Sequence, residues 1–187
     1  MRRTSRLPEE GTSAELIVRP ARGEDVAGID ALLRTCFARP DEADLVRRLC
    51  IDGAMVLMMA AVDGASGAIV GAVAFSRMAV TVNDRPVPAV ALAPLAVAPS
   101  YRRRGVGEAL VQAGLERLEA ERVVLCFVLG DAAYYRRFGF HEDYAANFVS
   151  PYAGEHLLAL PLQGGLMPCG VRGDARHPDA FAVLGAG

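Results

Sequence analysis

The sequence predicts an α/β (α+β) fold in which helices flank a mixed, mostly antiparallel sheet. Three apolar runs separated by turn residues fill residues 54–97, which indicates consecutive antiparallel strands. An amphipathic pattern over residues 102–122 predicts a helix, and the continuous apolar run at 123–129 predicts a buried strand. A strand, a helix and a second strand in this order imply a parallel pair joined by a crossover helix.

The elements before the sheet are one short strand and two helices. The β-rich run Leu16–Val18 stops at Pro20, and the apolar spacing over 26–37 predicts the first helix. Pro40, followed by two acidic residues, opens a second and shorter helix. Turn residues at 83–84 separate the last two of the three antiparallel strands.

After the buried strand at 123–129, the sequence predicts one short helix followed by short strands and loops. Residues 132–138 form a short helix, which Gly139 closes in the usual position for a helix-terminating glycine. Residues 140–149, 156–162 and 181–184 are expected to be strands and loops.

Composition and charge limit the class of protein. The chain has 187 residues, 52% of them hydrophobic and 22% charged, with a formal net charge of −2, which is typical of one soluble globular domain. We expect residues 1–13 to be a mobile N-terminal arm and residues 14–187 to be a single domain. The balanced charge argues against a dedicated nucleic-acid-binding protein. The longest apolar run, Gly53–Val62, is too short to span a membrane.

The cellular location is predicted from the cysteines and the N terminus. Cys36, Cys50, Cys126 and Cys169 stand singly, with no C-x-x-C pair, so we expect reduced thiols. The basic first residues lack the apolar stretch of a secretory signal. Both observations predict a cytoplasmic protein. The histidines are isolated and show no metal-ligand spacing, so no metal is expected.

The segment with the clearest chemistry leads into the crossover helix. Glycines at a strand-to-helix junction let backbone N–H groups converge on an anion at the positive end of the helix, and arginines add charge there. The segment is neither a Walker loop nor a Rossmann fingerprint, because no G-K-[ST] follows and the third glycine position is Leu110. Its residues are Arg102, Arg103, Arg104, Gly105, Val106 and Gly107.

Two signatures in the chain resemble those of the GCN5-related N-acetyltransferases, the GNAT family. Arg102, Gly105 and Gly107 match the acetyl-CoA motif of that family, which reads Arg or Gln, two residues, Gly, one residue, then Gly or Ala. The run 132–140, with an aromatic pair followed by Gly and Phe, resembles the second signature. The resemblance implies an enzyme that moves an acetyl group from acetyl-CoA to a primary amine of a small molecule or peptide, by direct attack in a ternary complex.

The resemblance also implies a place for acetyl-CoA in the sheet. In this family the fourth and fifth strands splay apart at a bulge, and the pantetheine arm of CoA inserts between them. Pro94 cannot complete a strand ladder, so by analogy Leu95 and Val97 would contact pantetheine and the thioester, with the Val97 N–H stabilising the oxyanion. The alternative is that Pro94 only marks a sheet edge.

Tyr135 is the predicted proton donor to the leaving thiolate. By resemblance it occupies the family position whose phenol approaches the CoA sulfur, and an ordinary tyrosine pKa of about 10 suits the exchange. The alternative is an amphipathic core tyrosine. The adjacent Tyr134 is predicted to be a packing residue, since only one of the two rings can face the sulfur.

A general base is harder to assign, because residues 89–93 of the fourth strand offer no titratable side chain. Glu42 or Asp41 could select a cationic amine or start a water relay, or could be ordinary acids at a helix N terminus. Asp131 could hold pantetheine, or cap the short helix that follows it.

Two other function classes stay open. A noncatalytic acyl-CoA-binding sensor would keep the loop and lack turnover, which the missing strand carboxylate permits. A nucleic-acid module would use Arg102–Arg104 and Arg136–Arg137, but the slightly acidic charge and the lack of an aromatic stacking platform argue against it. The sequence predicts neither the acceptor amine nor the length of the acyl group. The resemblance to the GNAT family implies a homodimer.

Overall fold

The computed structural model describes residues 15–164 and 173–185, so the predicted arm over residues 1–13 lies outside the described residues. The single domain over residues 14–187 stays a prediction. The helices of the described part are α1 (Val26–Cys36), α2 (Asp41–Ile51), α3 (Val106–Ala120), α4 (Ala132–Tyr135) and α5 (Glu142–Ala145). The strands are β1 (Leu16–Pro20), β2 (Met55–Asp63), β3 (Ile69–Val82), β4 (Arg85–Val97), β5 (Leu125–Leu129), β6 (Phe148–Val149), β7 (Leu157–Pro161) and β8 (Gly173–Arg176). Short 3-10 turns cover Gly23–Asp25, Pro99–Tyr101, Arg136–Phe138 and Asp179–Gly185.

The strands form a mixed sheet. Its main order is β1-β2-β3-β4-β5-β7, and β8 pairs with β3 and with β6. Along the main order, neighbouring strands are antiparallel except β4 and β5, which are parallel. Helix α3 connects those two strands, as a parallel pair requires. The predicted fold class, a mostly antiparallel sheet with one central parallel pair and flanking helices, is confirmed.

The parallel pair separates towards its C-terminal end. Pairing between β4 and β5 stops at Leu92↔Val128, while β4 continues to Val97. On its other edge, β4 carries an extra residue at Ala93–Pro94 relative to β3. Such a β-bulge bends the strand, and proline has no N–H to offer a neighbour. The bulge and the splay leave a gap beside the last residues of β4.

Packing on both faces of the sheet fixes the helices around this gap. On one face, α3 covers a cluster that includes Phe75 and Leu110, both fully buried. Gly114 lets α3 lie directly on the Phe75 ring, because a Cβ at this position would lie 2.4 Å from it. On the other face, Leu45 of α2 packs in a cluster with Phe127 of β5. The start of α3 is therefore held beside the end of β4.

Three boundaries differ from the sequence prediction. Helix α3 begins at Val106 rather than at residue 102, because Arg103 and Gly105 have the left-handed backbone that a right-handed helix excludes. Within residues 140–149, only 148–149 is a strand, and residues 181–184 lie in a 3-10 turn. Short apolar runs fit a helix or a strand equally well, and here packing against the sheet decides between them.

Candidate functional site

A cavity of about 640 Å³ lies where the gap beside β4 meets the start of α3. Its size is that of a small-molecule site. The wall combines the end of β4, the loop into α3, the C-terminal end of α1 and the region of α4. The lining residues are Cys36, Phe37, Leu95, Ala96, Val97, Arg102, Arg103, Gly105, Val106, Gly107, Glu108, Tyr134 and Arg137.

The strand side of the cavity presents backbone groups of β4 that pair with neither β3 nor β5. Ala98 donates its N–H to Val70 of β3 at 2.9 Å, and successive residues of a strand point their backbone groups to opposite edges. The N–H and C=O groups of Leu95 and Val97 therefore face the gap. The Val97 carbonyl accepts from Arg102 Nε at 3.1 Å and from Cys36 Sγ at 3.3 Å. The N–H groups of this edge can pair with an extended, amide-bearing ligand.

The helix side of the cavity presents free N–H groups. Helix α3 has 15 residues, and its N-cap, Gly105, makes no side-chain capping hydrogen bond. The first N–H groups of a helix have no partner within the helix, and the helix dipole makes this end positive. This end of the cavity is therefore suited to an anion such as a phosphate.

The two glycines of the loop serve different needs. Gly105 has φ +79, so its left-handed backbone is the reason for glycine there, and nothing lies within 4 Å of a Cβ at this position. Gly107 has no such φ. A Cβ on Gly107 would lie 2.9 Å from Tyr134 Oη and 3.6 Å from Val97 Cγ2. Gly107 is required for space across the cavity.

The three arginines of the loop also differ. Arg102 turns back and bonds the Val97 carbonyl. Arg104 lies outside the cavity wall and stacks on Tyr101, 5.5 Å from the ring centroid. Arg103 is exposed in the wall and makes no ion pair or hydrogen bond with another described residue. The charge of Arg103 is therefore available to an anion.

Tyr134 and Arg137 form the wall opposite the helix start. The Arg137 guanidinium lies 4.7 Å from the Tyr134 ring centroid and 3.7 Å from Glu108. Burial raises the pKa of Tyr134, although Arg137 opposes the shift. Tyr134 packs edge-on against Tyr135 and Phe138, and its hydroxyl also points at Gly107 across the cavity.

Tyr135 lies behind this wall. Its side chain is 9% exposed and packs on Phe140 and on Gly130, where a Cβ would lie 2.7 Å from the ring. Its hydroxyl has no hydrogen-bond partner among the described residues, yet it is not one of their fully enclosed polar atoms. The ring is thus buried, and its edge lies over Gly130 at the end of β5. Burial raises the pKa of Tyr135, so the phenol keeps its proton at neutral pH.

Other predicted residues are not brought to the cavity. Asp131 accepts from the Ala133 N–H at 2.9 Å and so caps α4, the structural alternative for this residue. Glu42 is half-buried in the first turn of α2, outside the cavity wall. Asp41 bonds Arg39 Nε at 2.7 Å. None of the three acids lines the cavity.

Cys36 and Phe37 in the wall were missed by sequence reasoning. They end α1, far from the loop in sequence, and no motif marks them.

Among the described residues, no group of His, Cys, Asp or Glu has the arrangement of a metal site. Within the same part of the chain, no helix has both the length and the apolar character that crossing a bilayer requires.

The splayed strand pair, with a helix N terminus facing it, defines the acetyltransferase class of folds. A sequence model described as the Acetyltransferase (GNAT) domain matches residues 17–142, which is most of the chain. The protein belongs to the GNAT family of N-acetyltransferases, and the predicted resemblance is confirmed.

Two relatives from Escherichia coli strain K12 are similar over the same region. The uncharacterized N-acetyltransferase YhbS is 42% identical over 123 residues, 64% of this chain and 72% of YhbS. The uncharacterized N-acetyltransferase YjhQ is 36% identical over 131 residues, 68% of this chain and 71% of YjhQ.

Two crystal structures have the same fold. Escherichia coli YhbS in complex with CoA superposes with a TM-score of 0.79 and 30% identity, covering 97% of this chain and 96% of YhbS. A GNAT family acetyltransferase from Brucella melitensis in complex with acetyl-CoA superposes with a TM-score of 0.72 and 26% identity, covering 90% of this chain and 99% of that one.

Proposed function

We propose that the protein transfers an acetyl group from acetyl-CoA to a primary amine of a small molecule or peptide, by direct attack in a ternary complex. The observation that carries the proposal is the cavity in which the open edge of β4 meets the start of α3. CoA and acetyl-CoA are bound by the two similar structures, which supports the same cosubstrate here.

In the proposed binding mode, pantetheine pairs with the backbone of Leu95 and Val97, and the phosphates bind the N–H groups from Gly105 to Gly107. Two features support this mode. The N–H groups of Leu95 and Val97 face the gap rather than β3, and no described side chain caps the start of α3. Arg103 adds a positive charge at the phosphate end. Arg104 and Asp131, which the sequence included among the cosubstrate residues, are left out of the proposed site, because Arg104 stacks on Tyr101 and the Asp131 carboxylate caps α4.

In the proposed reaction, the neutral amine nitrogen bonds to the thioester carbonyl carbon, and the bond from that carbon to sulfur breaks. The Val97 N–H is the candidate donor to the carbonyl oxygen as negative charge develops on it. The nitrogen releases one proton to water, and the leaving thiolate takes one from Tyr135. The products are an amide and the CoA thiol, and solvent returns the proton to the phenol.

A noncatalytic acyl-CoA sensor is the second candidate. It is favoured by one observation: among the described residues of the cavity wall the only carboxylate is Glu108, and Arg137 pairs with it. Residues 89–93 carry no titratable side chain, and Glu42 and Asp41 lie outside the cavity wall. A sensor would bind acetyl-CoA without transferring its acetyl group.

Turnover of acetyl-CoA with a panel of amines separates these candidates. Release of the CoA thiol is measured with a thiol reagent, against polyamines, amino acids, aminoglycosides and peptide N termini. The protein without acceptor is the control, because its own cysteines react with the reagent. Amine-dependent release supports the transferase. Calorimetric binding of CoA with no release across the panel favours the sensor, and no binding of CoA contradicts both.

A cytoplasmic location is also part of the proposal. Cys36, Cys50 and Cys126 are free thiols, which is typical of proteins kept in a reducing compartment. The homodimer implied by the resemblance remains to be tested by light scattering.

Arg103→Ala is expected to weaken CoA binding about two- to fivefold at low salt, the effect of an exposed charge pair. The difference from the wild type should shrink as salt is raised, because exposed charges are screened. Arg117→Ala removes the same charge from the exposed last turn of α3, outside the cavity wall, and is the matched control, with a smaller effect. Titration calorimetry at two salt concentrations checks both variants. Equal losses in the two would show that only the net charge of the protein matters.

A further inference from the structure

We propose that Asp63 is a positioning residue, which holds the loop between β4 and α3 in its CoA-binding conformation through the hydroxyl of Tyr101. Tyr101 donates to Asp63 Oδ2 at 2.7 Å, across 38 positions of sequence. Neither residue lines the cavity. The inference rests on the proposed function, because it concerns how the proposed phosphate-binding loop is held.

Asp63 is a buried carboxylate without a cationic partner. It ends β2, is 5% exposed and forms no ion pair with any described arginine. Its Oδ1 accepts from the Ser66 N–H and the Ser66 hydroxyl, each at 2.8 Å, and from the Ala65 N–H at 3.1 Å. Three neutral donors of the turn between β2 and β3 thus bind Oδ1, and they fix the carboxylate within that turn. Together with the Tyr101 hydroxyl, they lower the pKa of Asp63 to about 2.

Tyr101 is held on two sides. Its hydroxyl is bound by Asp63, and the Arg104 guanidinium lies over its ring. It is the last residue of the 3-10 turn that leaves β4, and the next residue, Arg102, bonds back to Val97. Arg103 then has φ +59, a conformation that a residue other than glycine leaves readily unless its neighbours hold it. The bond to Asp63 anchors this short segment to the rest of the sheet.

Tyr101→Phe removes only the hydroxyl and tests the inference. A hydrogen bond to a buried charge is a strong one, so its loss should let the loop leave the binding conformation. Apparent affinity falls with the competent fraction. We expect the dissociation constant for CoA, and KM for acetyl-CoA, to rise about tenfold. The value of kcat at saturating acetyl-CoA should stay within about twofold, since the reacting groups are untouched.

Ser66→Ala is the matched control, because it removes a donor from the same carboxylate on the hairpin side only. It should lower the thermal midpoint slightly and leave CoA affinity unchanged. Asp63→Asn keeps the size and one acceptor oxygen, and should weaken CoA binding through the same contact. The double variant with Tyr101→Phe should then bind CoA about as weakly as the weaker single variant.

The outcomes distinguish this inference from the proposed function. Wild-type protein that binds CoA, with unchanged affinity in both Tyr101→Phe and Asp63→Asn, would overturn the inference and leave the proposed function standing. A lower thermal midpoint with unchanged affinity would make the contact purely structural and overturn it as well. Wild-type protein that fails to bind CoA would overturn both.

Discussion

Gly107→Val is expected to weaken CoA binding about 100-fold, the upper end of the cost of forcing extra atoms into a filled space. The Cβ alone would lie 2.9 Å from Tyr134 Oη and 3.8 Å from Leu95 Cδ2. The two γ-methyl groups would then occupy the space between the start of α3 and the edge of β4. A ligand that pairs with β4 and reaches the helix N terminus must pass through that space. Titration calorimetry with CoA measures the loss.

The fold should tolerate this change. Valine is more favourable than glycine within a helix, so the thermal midpoint of Gly107→Val should stay close to that of the wild type. Gly114→Ala is the contrasting control in the same helix, because its Cβ would lie 2.4 Å from the buried Phe75 ring. It should lower the thermal midpoint and leave the cavity intact. Unchanged CoA affinity in Gly107→Val would mean that the ligand does not pass between Gly107 and Tyr134.

Much of the fold could be predicted because its signals are local. The apolar runs over residues 54–97 and the turn at 83–84 give the three long strands, and the helix between two buried runs gives the parallel pair. Pro94 marks the bulge, since a proline cannot complete the ladder there. The later part of the chain has only short runs, and a short apolar run does not distinguish a strand from a 3-10 turn.

The candidate site was predictable only where one segment supplies it. Seven of the wall residues are among the sequence-predicted ones, and all lie between β4 and the first turn of α3. Cys36 and Phe37 reach the wall through the packing of α1 on the sheet, which no spacing in the sequence reveals. The bond from Tyr101 to Asp63 likewise depends on the approach of a distant hairpin. Such contacts follow from tertiary structure rather than from periodicity.

The roles of the adjacent Tyr134 and Tyr135 were the hardest to predict, because the position of a residue in a short helix does not fix which ring faces the cavity. Tyr134 lines the wall and Tyr135 lies in the core, with ring centroids 5.0 Å apart in an edge-to-face arrangement. The two hydroxyls differ in place and surroundings. That of Tyr134 points at Gly107, at the phosphate end of the cavity. The Tyr135 ring lies over Gly130, at the end of β5 and across the gap from β4, which is where the proposed thioester needs a donor.

Tyr135→Phe is therefore expected to lower kcat by about 10² to 10⁴, the contribution of one general acid, with CoA affinity little changed. The phenylalanine keeps the packing on Phe140 and Gly130 and removes the only proton that this side chain can donate. Because burial raises the pKa of Tyr135, the phenol stays protonated through neutral pH, and its own ionisation should not limit the wild-type rate there. Steady-state kinetics with the preferred amine measure the loss, and Tyr134→Phe is the matched control, which should retain most of kcat. The reverse result would assign the proton donor to Tyr134, in keeping with its place in the wall. If both variants keep wild-type kcat, solvent protonates the thiolate, and neither tyrosine is a general acid.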